Sequence, residues 1–404
     1  MGTIEQAIRV TFQFPVHFTT GVFASANPVL RTLVAGASDR LPSDTLVVVD
    51  EGVARAHPRL LDDIDRYCRE HATAIRLASP VVVLPGGEQV KNDPRYVDQL
   101  HRAIHDAALC RQSYVLAVGG GALLDLAGYA ASTAHRGLRM IRVPTTVLAQ
   151  DDSAVGVKNG VNAFGTKNYF GTFAPPFAVI TDFSFLATLT DRDWLSGVSE
   201  AVKAALIKDP AFFAELERSV ERLVARDATV MEQVIRRSAA LHLAHIANGG
   251  DPFELGSSRP LDFGHWAAHK LELLTGHRLR HGEAVAIGLA LDCTYARLSG
   301  WLPEADWRRI IAVIQGLRLA VHVPELDDPG EPAHPRSVLR GLEEFREHLG
   351  GRLTLLMLRG IGHPFEVHEV DARVMIRSID VLRGLEEARP TAPGLAGALP
   401  RATP

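Results

Sequence analysis

Five short runs of aliphatic and β-branched residues recur through the first half of the chain, each nearly continuous and each ending in Gly, Pro or Asp. They are TLVVVDEG (45–52), VVVLPGGE (81–88), YVLAVGGG (114–121), RMIRVPTT (139–146) and FAVITDF (177–183). A strand with one wet face needs apolar residues only at alternate positions. Unbroken runs therefore call for burial on both faces, as in a parallel sheet covered by helices. Helical patterns at 93–108 and 122–134 fall between the runs. The alternation predicts an α/β, doubly wound N-terminal domain with ligands at the carboxyl ends of its strands.

Beyond about residue 190 the strand signal fades. Helical spacing covers 191–208, 210–225, 228–247, 263–275, 281–298 and 303–316, with Asp209-Pro210 and Gly300 as punctuation. A strand at 352–358 and a last helix at 370–384 follow. The expected division is an α/β domain over 1–190, an α-helical domain over 191–385 and a disordered, Ala/Pro/Gly-rich tail over 386–404.

The charges nearly balance, 43 basic against 47 acidic residues, which argues against nucleic-acid or polybasic membrane partners. Three scattered cysteines, Cys68, Cys110 and Cys293, form no CxxC, and they suggest buried, reduced thiols. The N-terminus does not read as a signal peptide, and no apolar run reaches the roughly 18–20 residues of a membrane span. A cytoplasmic enzyme is expected.

Four segments carry chemistry. Gly119-Gly120-Gly121, followed by Asp125, ends a strand and opens a helix. Such a turn lets a pyrophosphate approach the free N–H groups of the helix N-terminus, although a tight β–α turn needs glycine too. Thr145-Thr146 and Gln150-Asp151-Asp152-Ser153 bring hydroxyls and carboxylates to a strand end, as site groups or as caps. Lys158 and the Gly165-Thr166-Lys167-Asn168 stretch form a Gly-punctuated loop, able to hold phosphate or simply solvated. Finally, Glu200 precedes Lys203 by three residues on one helix face, His265 and His269 stand four apart on another, and His281 opens a third helix. One Glu and two His make a plausible three-ligand catalytic metal site, with His269 beside it. Among 17 histidines, some such spacing also arises by chance.

In this order the segments LAVGGGALLDLAGYAAST, HRG, RVPTTVLAQDDSAVGVKNGVNAFGTKN, SEAVKAALI, DFGHWAAHKLE and LRHGEAVAIG resemble the 3-dehydroquinate synthase family over roughly 45–385. The resemblance implies a Rossmann-like N-terminal domain and a C-terminal α-helical metal-binding domain. It implies Glu200, His265 and His281 as ligands of zinc (or cobalt). Gly119, Gly120, Gly121, Asp125, Thr145, Thr146, Glu88 and Lys91 are implied as contacts of NAD, and Asp50, where the first run ends, is counted with them. Asp152, Lys158, Lys203 and His269 are implied in catalysis, with Lys167 and Asn168 on the substrate. Arg136 would reach the substrate phosphate across a homodimer interface. The family's chemistry is a transient oxidation by NAD, phosphate elimination, re-reduction and an intramolecular aldol closure, with no net consumption of NAD.

This chain also departs from the family. Dehydroquinate synthase holds a substrate carboxylate with a lysine and an arginine. Here no lysine occurs between Lys208 and Lys270, and His242 or a neighbour takes its place. Arg259 is shifted by one, and Asp262 replaces an asparagine. An aspartate repels a carboxylate. The change resembles the branch that makes C7 cyclitols from sedoheptulose 7-phosphate, such as 2-epi-5-epi-valiolone synthase. That branch usually lacks the second histidine of GHxxxH, which is kept here as His269, and GDPFELGSSRPLDFGHW matches neither type. The expected function is a cyclase acting on a seven-carbon sugar phosphate without a carboxylate. Dehydroquinate synthase, an NAD- and metal-dependent polyol dehydrogenase and a non-catalytic relative are the alternatives.

Overall fold

The computed structural model describes residues 3–37, 41–254, 256, 259–327, 334–348 and 350–389. The chain divides into two compact units. The first comprises Met1–Thr145 and Gly156–Ala187, the second Thr146–Val155 and Thr188–Pro404. A single boundary near 190 is thus not the whole division: a ten-residue segment ahead of it packs with the second unit. It carries the helix Val147–Asp151, whose buried Val147, Ala149, Gln150 and Asp151 need a partner surface of their own.

The first unit contains β1 (Val16–Thr19), β2 (Ser43–Asp50), β3 (Ile75–Leu77), β4 (Val82–Leu84), β5 (Tyr114–Gly119), β6 (Arg139–Pro144), β7 (Lys158–Ala163), β8 (Thr166–Phe173) and β9 (Ala178–Asp182). Seven of them form one parallel sheet in the order β1-β9-β6-β5-β2-β3, with β4 pairing the carboxyl half of β2. The central strand β5 is buried at every position, which explains its unbroken apolar run. Val47, Val49, Leu116, Val118, Ile141, Val143 and Ile180 meet in the core. β1 and β3 were not legible, being short and only partly buried.

The stretch 158–168, expected as a loop, lies in an antiparallel hairpin that spans 158–173. Its two-residue turn, Phe164-Gly165, has φ of 53° and 73°. Two successive positive φ values fit the tight turn that matches strand twist.

Among its described residues the second unit is helical apart from β10 (Leu355–Leu358) and β11 (Pro364–Val367), an antiparallel pair. The expected helix over 191–208 is two, Asp191–Ser196 and Val198–Lys208. Gly197 divides them, and a Cβ there would lie 2.5 Å from the Leu148 nitrogen. Asp209 caps Pro210–Val224 through the Phe212 N–H. His281–Leu298 is buried along nearly its whole length and is apolar on all sides, as befits a central helix. The last helix, Ala372–Glu387, runs two residues into the stretch assigned to a tail, and 390–404 lie outside the described residues. Cys68 and Cys293 are buried but Cys110 is exposed, so the expectation of buried thiols fails at one position. Among the described residues no helix is long and apolar enough to cross a membrane.

Candidate active site

In the second unit three helices bring together the three residues expected to hold a metal. Glu200 sits in the first turn of Val198–Lys208, and His265 and His281 are each the first residue of their own helix. Close backbone contacts fix the latter two. Gly264 turns the chain into the His265 helix with φ of 77°, and a Cβ on Gly288 would fall 2.0 Å from the Gly264 carbonyl oxygen. A Cβ on Gly282 would fall equally close to the Ser196 carbonyl oxygen.

Glu200 Oε1 lies 3.4 Å from His281 Nε2 and 3.6 Å from His265 Nε2. One donor atom from each residue falls within 4.8 Å of the others. The His265 ring is held from behind. Phe263 O accepts from His265 Nδ1 at 3.1 Å, and a carbonyl only accepts, so Nδ1 carries the hydrogen and Nε2 keeps its lone pair. Glu200 is fully buried, and neither carboxylate oxygen makes a well-aligned hydrogen bond, although Lys203 Nζ lies 2.5 Å from Oε2. A buried carboxylate facing two imidazole nitrogens fits a divalent cation.

Lys203 is buried between Glu200 and Asp152, the latter 3.9 Å away. Burial alone would favour its neutral form, but the two carboxylates hold its pKa well above the usual lysine value. Burial would likewise raise Glu200, yet the Lys203 ammonium brings it down to about 2. Asp152 is also desolvated, but Lys203 and His242 hold it far below the usual carboxylate range. His265 is shifted down by burial and by Lys203. His242, on the helix Ala228–Asn248, reaches Asp152 Oδ1 with Nδ1 at 2.7 Å. Arg259 Nη1 stands 4.0 Å from Asp262 Oδ2. The His269 ring centroid is 5.4 Å from that of His265 and 5.9 Å from that of His281.

Two carboxylates here were not singled out by sequence pattern. Asp151, weighed only as one of two aspartates at a strand end, is buried with neither oxygen hydrogen-bonded. Burial and the charges of Asp152 and Glu200 raise its pKa well above the usual value. Glu272 lies 3.1 Å from His281 Nδ1. The spacing His265, His269, Glu272, one helical face, was the available signal.

In the first unit the register Gly119↔Pro144 puts the glycine turn beside the β6 end, and Thr145 N–H donates to the Gly119 carbonyl at 3.0 Å. The helix Gly121–Thr133 has no side-chain cap at Gly120, so its first N–H groups remain open to an anion. A Cβ on Gly119 would meet Leu123 at 2.6 Å, and one on Gly86 would meet the Asp50 carboxylate at 2.2 Å. Asp50 itself accepts from Gly52 and Val53 N–H as an N-cap. The Thr145 hydroxyl is buried without a hydrogen bond. Lys91 is buried, with its ammonium 2.8 Å from Asp125, 2.5 Å from Asn168 Oδ1 and 3.6 Å from Glu88. Asn162 links Glu88 to the Asn168 backbone. These residues fit a dinucleotide cradle: glycine-lined, uncapped and braced by a buried cation. Lys158 is exposed at the start of β7, and Lys167 is half-buried on β8. Arg136, with φ of 65° between His135 at 50° and Gly137 at 117°, lines a cavity of about 310 Å³ with Ser132, Asn159 and Phe173. Thr146, counted with the cofactor contacts, belongs to the second unit, where its hydroxyl accepts from Ala149 N–H as a helix cap.

Residues 81–196 match the family model described as 3-dehydroquinate synthase N-terminal, and 197–334 the one described as 3-dehydroquinate synthase C-terminal. A protein named 3-dehydroquinate synthase from Ruegeria sp. (strain TM1040) is 33% identical over 92% of this chain and 97% of its own length. The solved structure of ValA, the 2-epi-5-epi-valiolone synthase of Streptomyces hygroscopicus subsp. jinggangensis 5008 with NAD+ and Zn2+ bound, is 28% identical. It aligns with a TM-score of 0.82 over 95% of this chain and 100% of its own. A 2-deoxy-scyllo-inosose synthase complexed with carbaglucose-6-phosphate, NAD+ and Co2+ shares the fold at 22% identity and a TM-score of 0.69, over 91% of this chain and 96% of its own. By its matched domains and its full-length relatives, this chain belongs to the 3-dehydroquinate synthase family of sugar phosphate cyclases.

Proposed function

We propose that the protein is an NAD- and metal-dependent cyclase that closes a carbocycle from a seven-carbon sugar phosphate without a carboxylate, sedoheptulose 7-phosphate, with loss of phosphate. One observation carries the substrate assignment: the basic side chains around the candidate metal-binding cluster already face carboxylates. Lys203 lies against Glu200 and Asp152, His242 against Asp152, and Arg259 near Asp262. A substrate carboxylate placed there meets anions instead of an open cationic pocket. The likeness to ValA supports the same reading, whereas the names of the curated relatives support dehydroquinate synthase.

Glu200, His265 and His281 would hold zinc or cobalt. Gly119, Gly120, Gly121, Asp50, Glu88, Lys91, Asp125 and Thr145 would build the NAD cradle. When bound, these groups supply a reversible hydride acceptor and Lewis-acid polarisation of substrate oxygens. The chain's own side chains do the rest. Lys203, kept protonated, offers a fixed positive charge where negative charge develops. Asp152 holds the His242 ring and leaves Nε2 to a substrate hydroxyl, while His269, beside the His265 and His281 rings, would transfer a proton. Lys158, Lys167, Asn168 and Arg136 would take the phosphate, Arg136 within a cytoplasmic homodimer.

The test is direct. The metal-loaded enzyme with NAD is given sedoheptulose 7-phosphate or the seven-carbon heptulosonate 7-phosphate, and released phosphate and product mass are measured. Phosphate and a carbocycle from the heptulose alone are expected. Turnover of the heptulosonate alone would overturn the substrate assignment in favour of dehydroquinate synthase.

A further inference from the structure

His281 stands between two possible sets of metal donors. Its Nε2 faces Glu200 Oε1 at 3.4 Å, and its Nδ1 faces Glu272 Oε2 at 3.1 Å. Each side completes a three-residue group with donor atoms within 4.8 Å, Glu200 with His265 and His281, or His269 with Glu272 and His281. A neutral imidazole has one N–H and one lone pair, so a ring serving one set through its lone pair turns its N–H to the other.

We infer that Glu272 is a positioning residue: its carboxylate accepts the Nδ1 hydrogen of His281 and so commits Nε2 to the metal. Three observations carry this. Glu272 is only 3% exposed, so its charge needs a donor inside the protein, and His281 Nδ1 is placed to be one. It shares a helix face with His265 and His269, so the helix that presents one ligand also braces the other. His265 is braced in the same sense by the Phe263 carbonyl at 3.1 Å, a neutral acceptor. The two ligands thus differ in kind. His281, backed by an anion, is the stronger electron donor of the pair.

The inference rests on the metal reading of Glu200, His265 and His281, and the test separates the two. Metal-free protein and its Glu272→Gln and Glu272→Ala variants are titrated with Co2+. Stoichiometry, affinity by chelator competition and the visible ligand-field spectrum are recorded. One equivalent in the wild type is expected, with affinity weakened roughly 10- to 100-fold in Glu272→Ala and an altered spectrum. Glu272→Gln, which keeps the size and an acceptor oxygen, is expected to fall between and carries the test if the alanine variant does not fold. Wild-type affinity and spectrum in both variants would overturn the positioning role and leave the metal site standing. Two equivalents in the wild type, one of them lost in both Glu272→Gln and His269→Ala, would make Glu272 a ligand and overturn it as well. No uptake by the wild type would overturn the inference together with the metal site on which it rests.

Discussion

His242 and Asp152 are 90 residues apart in sequence and share a hydrogen bond of 2.7 Å, Nδ1 to Oδ1. The same Asp152 oxygen lies 3.9 Å from Lys203, which ion-pairs with Glu200. His242, one of the positions offered for the missing lysine, is therefore tied, through one aspartate and one buried ammonium, to Glu200 of the candidate metal-binding set.

Removing His242 tests that chain. A hydrogen bond to a charged group contributes about 1.5–3 kcal/mol. His242→Ala is expected to lower kcat/KM on the preferred sugar phosphate by roughly 10- to 100-fold. The double variant His242→Lys, Asp262→Asn adds a cation and removes an anion. It is expected to raise the ratio of heptulosonate to heptulose turnover, as read from paired kcat/KM values.

Lys203 neutralises buried carboxylates when no metal is bound. Lys203→Met leaves Glu200 and Asp152 without their shared ammonium, and breaking a buried pair in this way costs about 3–5 kcal/mol. Metal-free Lys203→Met is expected to melt well below the metal-free wild type. Because zinc then supplies the missing positive charge, its stabilising increment is expected to be larger in the variant. Calorimetry with and without chelator reads both quantities.

Asp292 sets a pH dependence of stability. Its buried carboxylate accepts from the Trp266 indole at 2.8 Å and the Gly264 N–H at 3.1 Å, yet burial still pushes its pKa up to about 7. The folded state binds this proton more tightly than the unfolded chain, whose carboxyl titrates near 4. The stabilising contribution is therefore full below about pH 4 and is lost as pH rises through 7, on the order of a few kcal/mol. Urea unfolding at pH 5 and pH 8 is expected to show a larger loss for the wild type than for Asp292→Asn.

In the first unit Lys91 is the buried cation that gathers Asp125, Asn168 and Glu88. Lys91→Met strands those polar groups and unbraces the helix that follows the glycine turn. NAD affinity by titration calorimetry is expected to fall at least about tenfold, the equivalent of 1.4 kcal/mol. Affinity equal to that of the wild type would remove Lys91 from the cradle.

Much of this was legible because the signals were local or periodic. The unbroken runs ending at Asp50, Gly119 and Pro144 have a single economical use, a sheet buried on both faces. The helix containing His265 and His269 announces its face by spacing alone. What stayed hidden depended on a second partner far along the chain. The hairpin at 158–173 looked like a loop because glycines and asparagines interrupt it, and the left-handed Phe164-Gly165 pair becomes informative only once strands flank it. Glu272 reads as an ordinary helix-surface glutamate until the His281 ring is seen behind it. Asp151 reads as a cap because the helices packed on its own helix begin 40 or more residues later.

The excursion of Thr146–Val155 also has a consequence for how the protein is made. This segment leaves the ribosome before any other part of the unit it belongs to, and it must wait, with Asp152 aboard, until the chain beyond Thr188 is synthesised. The first unit is meanwhile incomplete, because β7, β8 and β9 follow the excursion. Neither unit is a contiguous gene fragment. A polypeptide ending at residue 190 would carry the whole parallel sheet together with Asp152, but would leave behind Lys203 and His242, the foremost of the side chains that keep that aspartate ionised.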